Sequence, residues 1–127
     1  MGKVALHPGS SSPSSNPLVP GTKRGPFVYT SGQVGRDAAG NLIGKGDIRA
    51  QTRQTLENVK AVLKEGGAGL GDVMKVTVFL ANIDERNGMN EVYMEFFGDS
   101  PPARSAIEVT LGPDILVEIE AVAVISD

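Results

Sequence analysis

The chain has 127 residues, 40% hydrophobic and 21% charged, a length and composition that fit one globular domain. Its net charge of −3, from 12 Lys and Arg against 15 Asp and Glu, lacks the basic footprint expected of a protein built for duplex nucleic acid. The absence of cysteine excludes disulfides, zinc–thiolate sites and thiol nucleophiles, and a single histidine, His7, argues against a Ser-His-Asp triad or a His-rich metal site.

With no Trp, two Tyr and four Phe, aliphatic and Ala side chains must fill the core. The N-terminus has one Lys and only Val4-Ala5-Leu6 as an apolar stretch, which is not a secretory signal. Leu6 stands where a myristoylation signal carries Ser or Thr. Apolar runs such as Ala121–Ile125 fall far short of the ~20 residues that span a bilayer. The expected location is cytoplasmic.

Taken in chain order, Pro8 to Gly25 holds Ser10–Ser12, Ser14, Ser15, Pro13, Pro17 and Pro20, and reads as an irregular arm or loop. Phe27–Ser31 is β-branched and aromatic, ends at Gly32, and reads as a strand. Asp37 to Asn41 is turn chemistry, and Leu42-Ile43 reads as the start of a returning strand. Asp47 is a good N-cap for a helix over Ile48–Glu65, where Thr52, Leu56, Val59, Val62 and Leu63 share one face. Gly66-Gly67 should end it. The run Gly67-Ala-Gly69-Leu-Gly71 resembles a phosphate loop but follows a helix and precedes a strand, the reverse of a dinucleotide fingerprint, so helix termination is the better reading.

Val73–Leu80 reads as a strand with Met74, Val76, Val78 and Leu80 on one face. Met89, Val92, Tyr93, Phe96 and Phe97 keep the spacing of an amphipathic helix that Pro101-Pro102 stops. Arg104–Val109 and Leu116–Ile125 close the chain as strands around Gly112-Pro113-Asp114. Two helices of this length cover one face of such a sheet, giving an α+β fold. In the last strand Val117, Ile119, Ala121 and Ala123 face one way, and Glu118, Glu120, Val122 and Val124 the other. A face mixing carboxylates with Val is too apolar for open water and too polar for a sealed core. It reads as a subunit interface enclosing a polar site.

Three polar residues at strand positions are candidates for that site: Ser31, Arg104 and Glu118. Each has an ordinary reading as well. A strand-opening Arg is usually a surface ion partner, and a strand Glu usually points at water. Together they suit a small anionic ligand, because a guanidinium grips a carboxylate through two parallel hydrogen bonds and a nearby carboxylate can orient or deprotonate water.

The stretch Pro102-Ala-Arg-Ser-Ala-Ile-Glu-Val109, followed by Leu116-Val-Glu-Ile-Glu-Ala-Val-Ala-Val124, closely resembles the C-terminal signature of the reactive intermediate deaminase family, RidA or YjgF. Tyr29–Gln33, Gln51–Val59 and Asn90–Phe97 match it too, so the likeness runs from about Pro26 to Val124. The resemblance implies a chorismate-mutase-like single domain over 1–127, with two helices packed on one face of a mixed sheet. It implies a homotrimer with a site at each subunit interface. The implied activity is hydrolysis of 2-aminoacrylate and related enamines or imines to 2-keto acids and ammonia, with no metal or organic cofactor.

By position, the resemblance makes Arg104 the substrate-carboxylate ligand and Glu118 the group that orients the attacking water. Ser31, Gly32 and Asn90 would line the same cleft. The family's cysteine two residues after the arginine is Ala106 here. Its N-terminal Gly-Pro-Tyr-Ser appears as Asn16-Pro-Leu-Val19, which puts Leu18 in the place of the cleft tyrosine. Rival expectations are a non-catalytic carboxylate-binding or regulatory trimer and, with less support from charge and histidine content, a ribonuclease or translation inhibitor. A dedicated catabolic deaminase is a fourth.

Overall fold

The computed structural model describes residues 2–9 and 17–126, so most of the Ser-rich run and Asn16 lie outside the described residues. Six strands form one mixed sheet: β1 (Val4–Leu6), β2 (Gly21–Arg24), β3 (Phe27–Thr30), β4 (Val73–Leu80), β5 (Ala103–Glu108) and β6 (Val117–Val124), in the order β1-β2-β3-β6-β4-β5. All neighbours are antiparallel except β4 and β5, which the intervening helix α2 (Arg86–Phe97) joins as a parallel crossover. That helix and α1 (Ile48–Glu65) pack side by side on one face of the sheet. The α+β architecture with both helices on one face is the one the element order predicts.

Local chemistry sets the ends of α1. Asp47 has extended backbone angles, and its carboxylate accepts from the Ala50 amide at 3.1 Å. At the other end Gly67 takes φ +83°, its amide donates to the Lys64 carbonyl, and Ala68 donates to Leu63, the paired bonds of a Schellman stop. Leu56, Val59, Val62 and Leu63 are fully buried against Val76, Val78, Val117 and Ile119 of the sheet. Each such side chain contributes about 1.5–3 kcal/mol of transfer free energy. Gln51 on the same face is also fully buried. Its amide donates to the carbonyls of Gly44 (3.1 Å) and Asp114 (2.9 Å) and its oxygen accepts from the Leu116 amide (2.9 Å), so the helix clamps the turn that leads into β6.

Three expectations are corrected. The segment Pro8–Gly25 is not irregular to its end: β2 forms at Gly21–Arg24 and, with β1, extends the sheet beyond β3. Polar Thr-Lys-Arg conceals a strand whose register is fixed by the two-residue turn Gly25-Pro26, with Gly25 at φ +57°. Leu42-Ile43 is no strand; Leu42 makes a single bridge to Arg36. Met74 does not face the core. The register with β6 slips between Val73 and Lys75, which leaves Met74 61% exposed and buries Val73 in its place.

The sheet face away from the helices carries Phe27 and Tyr29 at 48% and 50% exposure, together with Ile107, Phe79 and the half-buried Glu118, Glu120, Val122 and Val124. No helix among the described residues is long and apolar enough to cross a membrane.

Candidate active site

Arg104 and Asn90 form one unit. Arg104 lies beside Val76 in the β4–β5 ladder and therefore on the helix side of edge strand β5. Its Nη1 donates to Asn90 Oδ1 at 2.6 Å and reaches toward Met89 Sδ at 4.0 Å, both on α2. Because Asn90 presents its oxygen to the guanidinium, its Nδ2 group is left as a pair of donors. Both of these contacts use Nη1, so the Nε–Nη2 edge, the side-on fork for a carboxylate, is not taken by them. The cluster presents donors only. That is the chemistry of an anion site. Ala106, two residues on and facing the same way, contributes a methyl group against the core.

Glu118 sits elsewhere. It alternates with buried Val117 and Ile119, so it points to the open face, opposite Arg104 and across two strand spacings, roughly 10 Å. Burial, and secondarily the charge of Glu120 two residues on, raises its carboxyl above the usual range for a glutamate. Next to it β3 carries a bulge. Tyr29 pairs with Val122 and Gln33 with Ile119, a step of four residues against three. The irregularity is stabilised by Thr30, whose buried hydroxyl accepts from the Ala121 amide at 3.0 Å. It brings Gly32 onto the Glu118 carboxylate so closely that a Cβ at this position would overlap it.

Ser31 belongs to the Glu118 side. Its Oγ donates to the Val19 carbonyl at 2.6 Å and its amide to Pro20 at 2.8 Å, which pins the arm carrying Leu18 against the bulge. Leu18 is 56% exposed there. One chain thus holds two separate polar clusters, Arg104–Asn90 with Ala106 on one face and Ser31–Gly32–Glu118 on the other, with Val19 and Pro20 tied to Ser31. Arg104 and Glu118 lie on opposite faces of one chain, so the cleft that the resemblance implies is not assembled within a single copy. A hollow of about 530 Å³ between the 32–38 loop and α1 shares only Gly32 with these residues. Among the described residues, no group of three or more His, Asp or Glu side chains is placed to hold a metal ion.

Residues 9–125 match the Endoribonuclease L-PSP family. A RutC family protein of Pyrococcus horikoshii is 50% identical over 108 residues, covering 84% of this chain and 86% of the relative. The 2-iminobutanoate/2-iminopropanoate deaminase of Salmonella typhimurium is 41% identical over 112 residues, 85% and 87% of the two chains. The crystal structure of Escherichia coli TdcF with bound serine superposes with a TM-score of 0.88 at 35% identity, covering 97% of this chain and 99% of that one. The chain belongs to the reactive intermediate deaminase (RidA, RutC) family.

Sequence reading of this RidA-family chain assigned Tyr93 to the core alone. The ring is indeed 6% exposed, but it also lies under the Arg104 guanidinium, with Cζ 4.7 Å from the ring centroid. The signal was present: Tyr93 is three residues after Asn90 and so shares its helix face. Gln51 was also missed, because a polar residue inside an amphipathic pattern reads as solvent-facing until its partners are known.

Proposed function

We propose that the chain hydrolyses small imino acids of the 2-iminopropanoate and 2-aminoacrylate type to 2-keto acids and ammonia, at sites shared between subunits of a homotrimer. The observation that carries this reading is the donor-only pair Arg104–Asn90, whose unspent guanidinium edge suits a planar carboxylate. The arrangement of half-sites supports a shared site: an Arg104 cluster and a Glu118 cluster that cannot meet within one chain can meet across two. The open face, with Phe27, Tyr29 and Val122 only partly covered, supports burial against a second copy.

In the reaction, Arg104 and Asn90 hold the carboxylate so that the imine carbon is presented to water. Water adds to that carbon, Glu118 takes a proton from it and passes one to the nitrogen, and the C–N bond breaks to release ammonia and leave the 2-keto acid. A half-buried carboxyl with a raised pKa exchanges protons more readily near neutrality than an exposed glutamate does. Positioning supplies much of the rate. Nothing is oxidised or reduced, so the proposal invokes no cofactor.

A second reading keeps the trimer and the carboxylate site but not the turnover, as a regulatory binding module. Ala106 and Leu18 favour it, since neither offers a side-chain donor to an intermediate. The ribonuclease reading is weaker: His7, the single histidine, follows β1 at the edge of the sheet opposite β5. The deciding experiment generates imines in situ with an amino-acid oxidase and traps them with semicarbazide. Adding the protein should suppress trapping of alanine- and leucine-derived imines. Unchanged trapping, with pyruvate still bound in calorimetry, would leave the binding module standing.

A further inference from the structure

We propose that Tyr93 is a positioning residue whose aromatic face, not its hydroxyl, fixes the plane in which Arg104 offers its guanidinium to the substrate carboxylate. The inference rests on the reading that Arg104 grips that carboxylate.

An arginine at the rim of an edge strand has four side-chain torsions to settle, and a two-pronged grip works only in one plane. The hydrogen bond to Asn90 Oδ1 at 2.6 Å fixes one corner of the guanidinium and leaves it free to swing about that corner. The Tyr93 ring removes the swing: Arg104 Cζ stands 4.7 Å from its centroid, within the reach of cation–π attraction. The ring is itself immobile. Phe97, one turn further along α2, packs on it with centroids 4.8 Å apart and planes tilted by 40°, and the residue is 6% exposed. The phenol oxygen is buried without a hydrogen-bond partner among the described residues, so it does no positioning that hydrogen bonding could explain. Burial raises the pKa of this phenol, which the neighbouring Arg104 charge only partly offsets, so the ring under Arg104 is neutral.

The test is a shape-conserving series at position 93: Tyr93→Phe, then replacement by phenylalanine carrying increasing numbers of ring fluorines, which drains the negative face of the ring at nearly constant volume. Tyr93→Leu extends it if that variant folds. Tyr93→Phe should bind pyruvate within twofold of the wild type. Full fluorination should weaken pyruvate binding about fivefold. KM for imino acids should rise in parallel while kcat stays within twofold. A flat series overturns the proposal, and so does a Tyr93→Phe variant as weak as the fluorinated one, since the hydroxyl would then be the working group. A wild type that binds pyruvate but turns over no imine defeats the deaminase reading alone, and the binding series still decides the role of Tyr93. A wild type that binds no pyruvate defeats both.

Discussion

On one side of β6, Val117, Ile119, Ala121 and Ala123 are sealed beneath α1; on the other, Glu118, Glu120, Val122 and Val124 are left half-covered beside exposed Phe27, Tyr29 and Ile107. The strand is the same, and so is its backbone. What differs is that the chain has helices enough for one face. The covered face completes a core, so its residues answer only to packing. The open face mixes large apolar groups with two carboxylates, a composition that fits the proposed subunit interface, where part of it would be dried and part would stay polar. The covered face is complete within one chain, whereas the open face leaves large apolar groups and two carboxylates partly in solvent.

Breaking each face separately should give different failures. Ile119→Ala on the covered face should cost about 2–5 kcal/mol in denaturant unfolding, because a large aliphatic is removed from a packed interior. Val122→Asp on the open face should leave far-UV circular dichroism intact and abolish assembly, with native mass spectrometry reading a species near 13.3 kDa. A wild type already at that mass would end the shared-site proposal. Next in size is Arg104→Lys, which keeps the charge and loses the fork. Catalytic efficiency on imino acids should fall at least tenfold, about 1.4 kcal/mol, with the oligomer unchanged. Unaltered turnover would make Arg104 structural.

Much of the covered face was legible in the sequence and less of the open one. The core stripe of α1, its Asp47 cap, its glycine stop and the alternation in β6 all follow from spacing, because one period governs them. Where a second influence acts, spacing fails. The slip at Met74 is a bulge that a period-two pattern cannot announce. β2 is a strand because β1 and β3 flank it, not because Thr22-Lys23-Arg24 prefers to be one. The site divides likewise. Arg104, Asn90, Ser31 and Glu118 could be named as candidates, but the opposed faces of Arg104 and Glu118, the Arg104–Tyr93 cation–π contact and the Gln51 clamp depend on contacts between elements 11 to 65 positions apart.

The raised pKa of Glu118 sharpens the comparison further. A carboxyl whose folded value lies above its unfolded one holds its proton more tightly in the folded chain. Its contribution to stability is therefore fully present below the unfolded value, about 4.5, and lost as pH rises through the folded value. Glu118→Gln removes that loss. In the unassembled Val122→Asp background the substitution should leave melting unchanged near pH 4 and raise it at pH 7, and in the wild-type background it should abolish deaminase activity. Equal melting temperatures at both pH values would mean that the carboxylate is compensated by a partner.

The smallest expected effect concerns Leu18, whose neighbour Val19 is tied to Ser31 by a hydrogen bond. A leucine here offers apolar surface and no donor, so a substrate side chain that reaches it gains by burying carbon. One extra methylene against this wall is worth about 0.8 kcal/mol, a three- to fourfold preference. The wild type should therefore favour imines from longer or branched amino acids over 2-aminoacrylate. Leu18→Tyr supplies a hydroxyl that can donate to a small polar intermediate and should move the preference back. The comparison needs only the two proteins and the imines derived from alanine and leucine. If both rank them identically, Leu18 lies outside the cleft even though Ser31 holds its neighbour, and the arm's part in the site reduces to covering Ser31.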